Sequence, residues 1–92
     1  MIAVHRQFLR IRNSSCNPLK LYLEPWGDEI LMAVGASYEI SSEGPADGFI
    51  EVDTAGDRLT VYGWPGSTLS VREHGKLVCD CTVPVPHTPA KN

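Results

Sequence analysis

Apolar and polar residues alternate along much of the chain with a period of two. In segment 8–13, Leu9 and Ile11 would point to one side, while the arginines that follow each of them point to the other. Segment 19–23 repeats the pattern, with three leucines on one face. Because successive side chains of a β-strand emerge on opposite faces, this pattern predicts strands that bury one face and expose the other.

Six further segments have strand character, and they lie at residues 28–34, 37–40, 49–53, 59–62, 69–71 and 77–81. Segment 28–34 can also be written as a short helix that Asp28 caps and Gly35 ends. We favour a strand there, because about six residues are too few for a helix without strong support. Short strands that recur about every ten residues predict an all-β fold, a small single-domain antiparallel β-sandwich or barrel of about seven to eight strands.

Turn residues separate the predicted strands. Pro25 ends the second strand because its ring nitrogen offers no N–H to a ladder. The polar cluster at 13–18 predicts a turn that joins the first two strands as a hairpin. Gly56 and the pair His74 and Gly75 predict two further hairpin turns. The positions expected to face inward are Leu9, Ile11, Leu19, Leu21, Leu23, Ile30, Met32, Tyr38, Ile40, Ile50, Val52, Leu59, Val61, Leu69, Val71, Leu77, Cys79 and Cys81.

The length of 92 residues is sufficient for one domain with a modest core, which pairing with another subunit would help to stabilise. Residues 1–83 are predicted to form a single β domain, and residues 84–92, which include three prolines, an extended proline-rich C-terminal tail. No run of about eighteen apolar residues occurs, and the N-terminus lacks the pattern of a secretory signal. These features predict a cytoplasmic protein without a membrane span.

Charge is distributed unevenly, although the net charge is only −3. Residues 1–23 contain four basic residues and no acid, whereas residues 24–57 contain nine acids and neither Lys nor Arg. One interpretation places a basic first strand beside acidic strands, in cross-strand pairs worth roughly a few tenths of a kcal/mol each. The other is an acidic surface that binds a basic partner. The sequence has no basic patch of the kind that binds nucleic acid.

The three cysteines are an odd number, which favours free thiols in a reducing compartment. Cys79 and Cys81 are two positions apart, so on a strand both thiols share one face. His87 follows them, and Cys16 or His74 would complete four ligands for zinc or copper(I). Structural zinc sites usually pair two Cys-x-x-Cys-like motifs, however, and only one Cys-x-Cys is present. We therefore favour core packing of these small apolar thiols, with a metal site or a disulfide as alternatives, and predict no cofactor.

No catalytic signature stands out. None of the three histidines lies in a motif such as a nucleophile elbow. The sequence Gly63-Trp64-Pro65-Gly66 does not suit a phosphate-binding loop, because Pro65 lacks the backbone N–H that such a loop needs. An enzyme is therefore the less favoured class.

Two aromatic turns are candidates for binding. Trp26 follows a proline and Trp64 precedes one, so both rings are held on stiff backbone and lose little entropy on binding. If both turns lie at one end, these rings and Tyr22 or Tyr62 would form an exposed platform. The alternative is that each tryptophan plugs an open end of the core. The candidate binding residues are Trp26, Trp64, Tyr22, Tyr62, Asp28 and Glu29.

The function that these observations favour is a non-catalytic protein-binding or assembly module. Self-association as a homodimer fits, because an open sandwich leaves strand edges that need covering. One alternative is carbohydrate or small-ligand binding through the aromatic turns. Another is a small metal-binding protein of the cupin or cupredoxin kind, although the only methionines are Met1 and Met32 and the ligand order of a cupredoxin copper site is not matched.

Overall fold

The computed structural model describes residues 4–86 of the chain and contains strands only. These 83 residues form eight strands, which confirms the predicted all-β class. Their bounds are β1 Val4–Arg12, β2 Leu19–Glu24, β3 Asp28–Met32, β4 Ser37–Pro45, β5 Glu51–Ala55, β6 Arg58–Tyr62, β7 Thr68–Glu73 and β8 Lys76–Cys81. In this part of the chain no helix is long and apolar enough to cross a membrane.

The strands form two four-stranded sheets with the core between them. The first sheet has the order β1-β4-β7-β8, and the second has the order β3-β2-β6-β5. Within residues 4–86, five of the six strand pairings are antiparallel, and β2 pairs with β6 in parallel. The architecture is therefore a small β-sandwich, and the chain crosses several times from one sheet to the other.

Two of the predicted hairpins are present, and one is wrong. The turns after Ala55 and Glu73 join β5 to β6 and β7 to β8 as expected, and the turn after Glu24 forms a further hairpin of β2 and β3. The expected hairpin of β1 and β2 does not form, because β1 pairs with β4 along its whole length. The polar segment 13–18 instead carries the chain from the first sheet to the second.

The core contains most of the positions predicted from the alternation. The fully or nearly buried apolar residues are Leu21, Leu23, Met32, Tyr38, Ile40, Leu59, Val61, Leu69, Val71 and Cys81. Two expectations are wrong: Val52 is 41% exposed, and Leu77 is 52% exposed. Val52 lies on the edge strand β5. Leu77 pairs with Arg72, because the ladder shifts between Val71 and Arg72.

The outer face of the first sheet neutralises much of its own charge. Arg6 lies 3.3 Å from Glu43, and Arg10 lies 2.8 Å from Glu39, and each pair occupies directly opposed positions of β1 and β4. This confirms the prediction that a basic first strand lies beside acidic residues. Both pairs are well exposed, so each contributes at most about 1 kcal/mol to stability.

A single asparagine closes one end of the sandwich, which we call the asparagine end. Asn13 is fully buried, and its Nδ2 donates to the carbonyl oxygens of Asn17 (2.8 Å) and Met32 (3.1 Å). Its Oδ1 accepts from the backbone N–H of Ser15 at 3.0 Å and from the hydroxyl of the same residue. The amide therefore holds the turn after β1 against the end of β3.

Candidate functional site

The candidate binding residues do not form one site. Trp64 lies in the interior, whereas Tyr22, Tyr62 and Glu29 lie on the outer face of the second sheet. Trp26 and Asp28 lie at the margin between the two sheets, near the end of β8. The structure thus separates a buried plug, an exposed acidic face and a cluster that contains two cysteines.

Trp64 fills the end of the sandwich opposite Asn13, which we call the tryptophan end. Only 5% of the residue is exposed, and its indole Nε1 donates to the carbonyl oxygen of Pro45 at 2.9 Å. Gly48 lies directly against the ring, where an added Cβ would overlap it. Since almost none of the ring faces solvent, Trp64 offers no surface on which a ligand could stack.

Trp26 lies at the same end and is half-buried. Its Nε1 donates to the carbonyl oxygen of Val83 at 2.7 Å, which ties the β2–β3 turn to the segment after β8. The outer atoms of its ring lie against Gly63, the residue before Trp64. The two aromatic turns are therefore neighbours, as the platform idea requires, but both indoles are engaged in contacts within the chain.

The outer face of the second sheet joins two tyrosines with four carboxylates. The strand register sets Tyr22 opposite Glu29 and Thr60, and sets Tyr62 opposite Glu24 and Glu51. We call this surface the acidic tyrosine face, and its residues are Tyr22, Glu24, Glu29, Glu51, Asp53 and Tyr62. Three of these six, Tyr22, Glu29 and Tyr62, are among the binding residues predicted from the sequence. The other three carboxylates were visible only as part of a long acid-only segment.

A shallow groove crosses this face. It has a volume of about 410 Å³ and lies between Tyr22, Glu24, Thr60 and Tyr62. The guanidinium carbon of Arg58 lies 5.0 Å from the centre of the Tyr22 ring, within the range of a cation–π contact. The groove therefore already holds one cationic group against an aromatic ring.

The carboxylates on the outer faces of the two sheets differ in their ion pairing. Within residues 4–86, both ion pairs belong to the first sheet, where Glu39 and Glu43 contact arginines of β1. No carboxylate of the acidic tyrosine face has an ion-pair partner in the described part of the chain. The negative charge on this face is thus free to attract a cationic group from another molecule.

The third place combines Asp28 with Cys79 and Cys81. One ligand atom from each lies within 4.8 Å of the other two, and the Cys81 thiol donates to Oδ2 of Asp28 at 3.3 Å. Burial, followed by the hydrogen bond to Asp28, raises the pKa of the Cys81 thiol well above its usual value. Burial and then the charge of Asp28 also raise the pKa of Cys79. Both thiols are therefore protonated at neutral pH.

The other suggested ligands do not join this cluster. Cys16 is exposed in the turn after β1, at the asparagine end, and His74 is exposed in the β7–β8 turn. His87 lies outside the described residues. Asp28 was not predicted as a neighbour of the cysteines. The packing of the two sheets brings β3 close to β8, and no local sequence pattern indicates that these strands are near each other.

Comparison of the chain with protein-family models, with curated proteins and with solved structures finds no match.

Proposed function

We propose that the protein is a non-catalytic protein-binding module whose acidic tyrosine face binds a basic segment of a partner protein. The observation that carries the proposal is the group of unpaired carboxylates around Tyr22 and Tyr62. On the corresponding face of the first sheet, Glu39 and Glu43 are paired internally, and within residues 4–86 only Asp80 among the carboxylates of this face has no ion-pair partner.

Tyrosines and carboxylates would act together in such an interface. Tyr62 is 37% exposed and lies beside Glu24 and Glu51, so an incoming Lys or Arg side chain would meet an aromatic ring and negative charge together. The Arg58 contact with Tyr22 illustrates this mode of binding within the chain. Opposite charge on the two partners would speed association and make the affinity depend on salt.

Carbohydrate binding is less well supported than protein binding. A sugar ring stacks on an exposed aromatic face, and Trp64 is buried while Trp26 is engaged with Val83 and Gly63. Self-association remains a second form of the proposal, with a homodimer as its simplest case. We further propose a cytoplasmic location, because all three cysteines are free and Cys16 is exposed.

A basic peptide tests the proposal directly. We would titrate a synthetic peptide of alternating Arg and Ser into isotope-labelled protein and follow amide chemical shifts. The expected shifts are confined to β2, β3, β5 and β6. The double variant Glu29→Gln, Asp53→Asn should weaken binding by roughly fivefold to tenfold, since each exposed charge pair contributes up to about 1 kcal/mol.

The matched control removes the same charge from the other sheet. Glu39→Gln, Glu43→Gln also deletes two carboxylates and should leave the affinity for the peptide nearly unchanged. Tyr62→Ala should weaken binding, whereas Phe8→Ala, which removes the 77% exposed ring of the first sheet, should not. Equal losses in the two double variants would show a nonspecific charge effect and would refute the proposed face. Sedimentation of the free protein would reveal self-association.

A further inference from the structure

The cluster of Asp28, Cys79 and Cys81 has no role in the proposed binding face. Asp28 begins β3 of the second sheet, and the two cysteines lie on β8 of the first sheet. β3 and β8 are both edge strands, so the cluster lies where the margins of the two sheets meet. Three groups capable of negative charge converge there from two separate sheets.

We propose that these three side chains bind one Zn²⁺ ion, with the Sγ atoms of Cys79 and Cys81 and a carboxylate oxygen of Asp28 as ligands. Water would occupy the fourth position of the tetrahedron. The ion would link β3 to β8 and so join the two sheets at this margin. This proposal is independent of the binding face, which uses other residues.

The spacing of the ligand atoms suits zinc. Zinc holds thiolate sulfur at about 2.3 Å and carboxylate oxygen at about 2.1 Å, so a sulfur and an oxygen of one tetrahedral site lie about 3.6 Å apart. The Cys81 sulfur and the Asp28 oxygen are 3.3 Å apart, and all three ligand atoms fall within 4.8 Å of one another. Small side-chain rotations therefore suffice to place all three around an ion.

The charges at the cluster also favour a cation. In the described residues, neither ion pair involves Asp28. No cationic side chain is among the groups that shift the pKa of Cys79 or of Cys81. Three potential anions thus converge without an internal counter-charge. When Zn²⁺ binds, both thiol protons leave to solvent, and two thiolates and one carboxylate neutralise the ion with one negative charge to spare.

The ligand types favour zinc over calcium and magnesium. Two soft thiolates disfavour calcium and magnesium, which select oxygen ligands. Zinc accepts sulfur and oxygen together and needs no further protein ligand when water fills the remaining position. The half-buried position of Cys79 leaves an approach for the ion from solvent.

Titration with Co²⁺ and Zn²⁺ under reducing conditions tests the site on the full chain. Co²⁺ should bind at one equivalent and produce the sulfur-to-cobalt absorption band of thiolate ligation, and Zn²⁺ should displace it. Affinity should fall as the pH is lowered, because two protons compete with each ion. Zn²⁺ should also raise the melting temperature.

Three single variants identify the ligands. Cys79→Ser should lose about half of the charge-transfer absorption, because one of the two thiolates is gone. Asp28→Asn, at an exposed position, should weaken binding by more than about 10-fold, since even supporting residues around a metal site contribute that much. Cys16→Ser is the matched control, because it removes a thiol far from the cluster and should bind Co²⁺ like the unaltered protein.

The outcomes separate clearly. Absence of saturable one-equivalent binding would overturn the proposal, as would binding that Asp28→Asn and Cys79→Ser leave unchanged. Loss of the absorption band in Cys16→Ser would assign the metal to a different thiol and would also refute the site. Melting curves of each variant without metal would show that the protein remains folded during the comparison.

Discussion

At the tryptophan end an indole ring fills the space between the sheets, whereas at the asparagine end a buried amide occupies the corresponding place. Trp64 makes one side-chain hydrogen bond, to Pro45, and otherwise packs through its ring. Asn13 uses both its Nδ2 and its Oδ1, and its backbone also bonds to Gly35 and Ala36. One closure depends on shape and the other on directed polar contacts.

The two ends of this small sandwich therefore contribute to the fold through different kinds of interaction. Burial of a ring stabilises in proportion to area and does not depend strongly on direction. Hydrogen bonds from a buried amide are directional and fix which backbone segments meet. We therefore expect the asparagine end to fix how the chain passes between the sheets, and the tryptophan end to contribute mainly apolar burial.

Trp64→Ala should have the largest effect. Loss of the buried ring leaves a cavity, and the expected cost is about 4 kcal/mol in the free energy of unfolding. Chemical denaturation followed by circular dichroism would measure it. The matched control is Trp26→Ala, which removes a half-buried ring at the same end and should cost clearly less. If the two variants lose equal stability, Trp64 is not the principal plug.

Asn13→Ala should cost about 3 kcal/mol, because the buried carbonyl of Met32 and the part-buried carbonyl of Asn17 each lose one donor. The same denaturation measurement applies. Asn17→Ala is the matched control, since only the main chain of this exposed residue bonds to the amide, and it should change stability little. A cost for Asn13→Ala below that of the control would contradict the role assigned to the amide.

Gly48→Ala should have the smallest effect of the three, about 2 kcal/mol, because the added methyl must displace the Trp64 ring. A double-mutant cycle would sharpen the assignment. In combination with Trp64→Leu, which makes room, the alanine should cost much less than it does alone. Additive costs would mean that the methyl and the ring do not interfere.

Much of the fold could be predicted because alternation identifies the buried face of a strand directly. The leucines of β2 and the valines of β6 and β7 follow it without exception. The alternation does not show which strand pairs with which, since a strand with one buried face can lie beside any other strand that buries the same face. The predicted β1–β2 hairpin is wrong for that reason. In the sequence Asn13 resembles an ordinary turn residue, but in the structure it is buried where the chain passes to the other sheet.

The candidate sites show the same limit. The two cysteines were predictable as a pair because they are close in sequence, but Asp28 reaches them only through the stacking of the sheets. The burial of Trp64 had a faint signal in the sequence, in Gly44 and Gly48. Their lack of side chains makes room for the ring. Such complementarity between distant positions becomes visible only when both are placed in space.

Both tryptophans of the chain lie at the same end of the sandwich. Intrinsic indole fluorescence is therefore a local probe, which reports on the packing around Trp26 and Trp64. It carries no direct signal from Asn13 at the far end. If the two ends of the sandwich unfolded independently, the unfolding curve from tryptophan emission would differ from the curve from backbone circular dichroism. The native chain can show this difference without an added label.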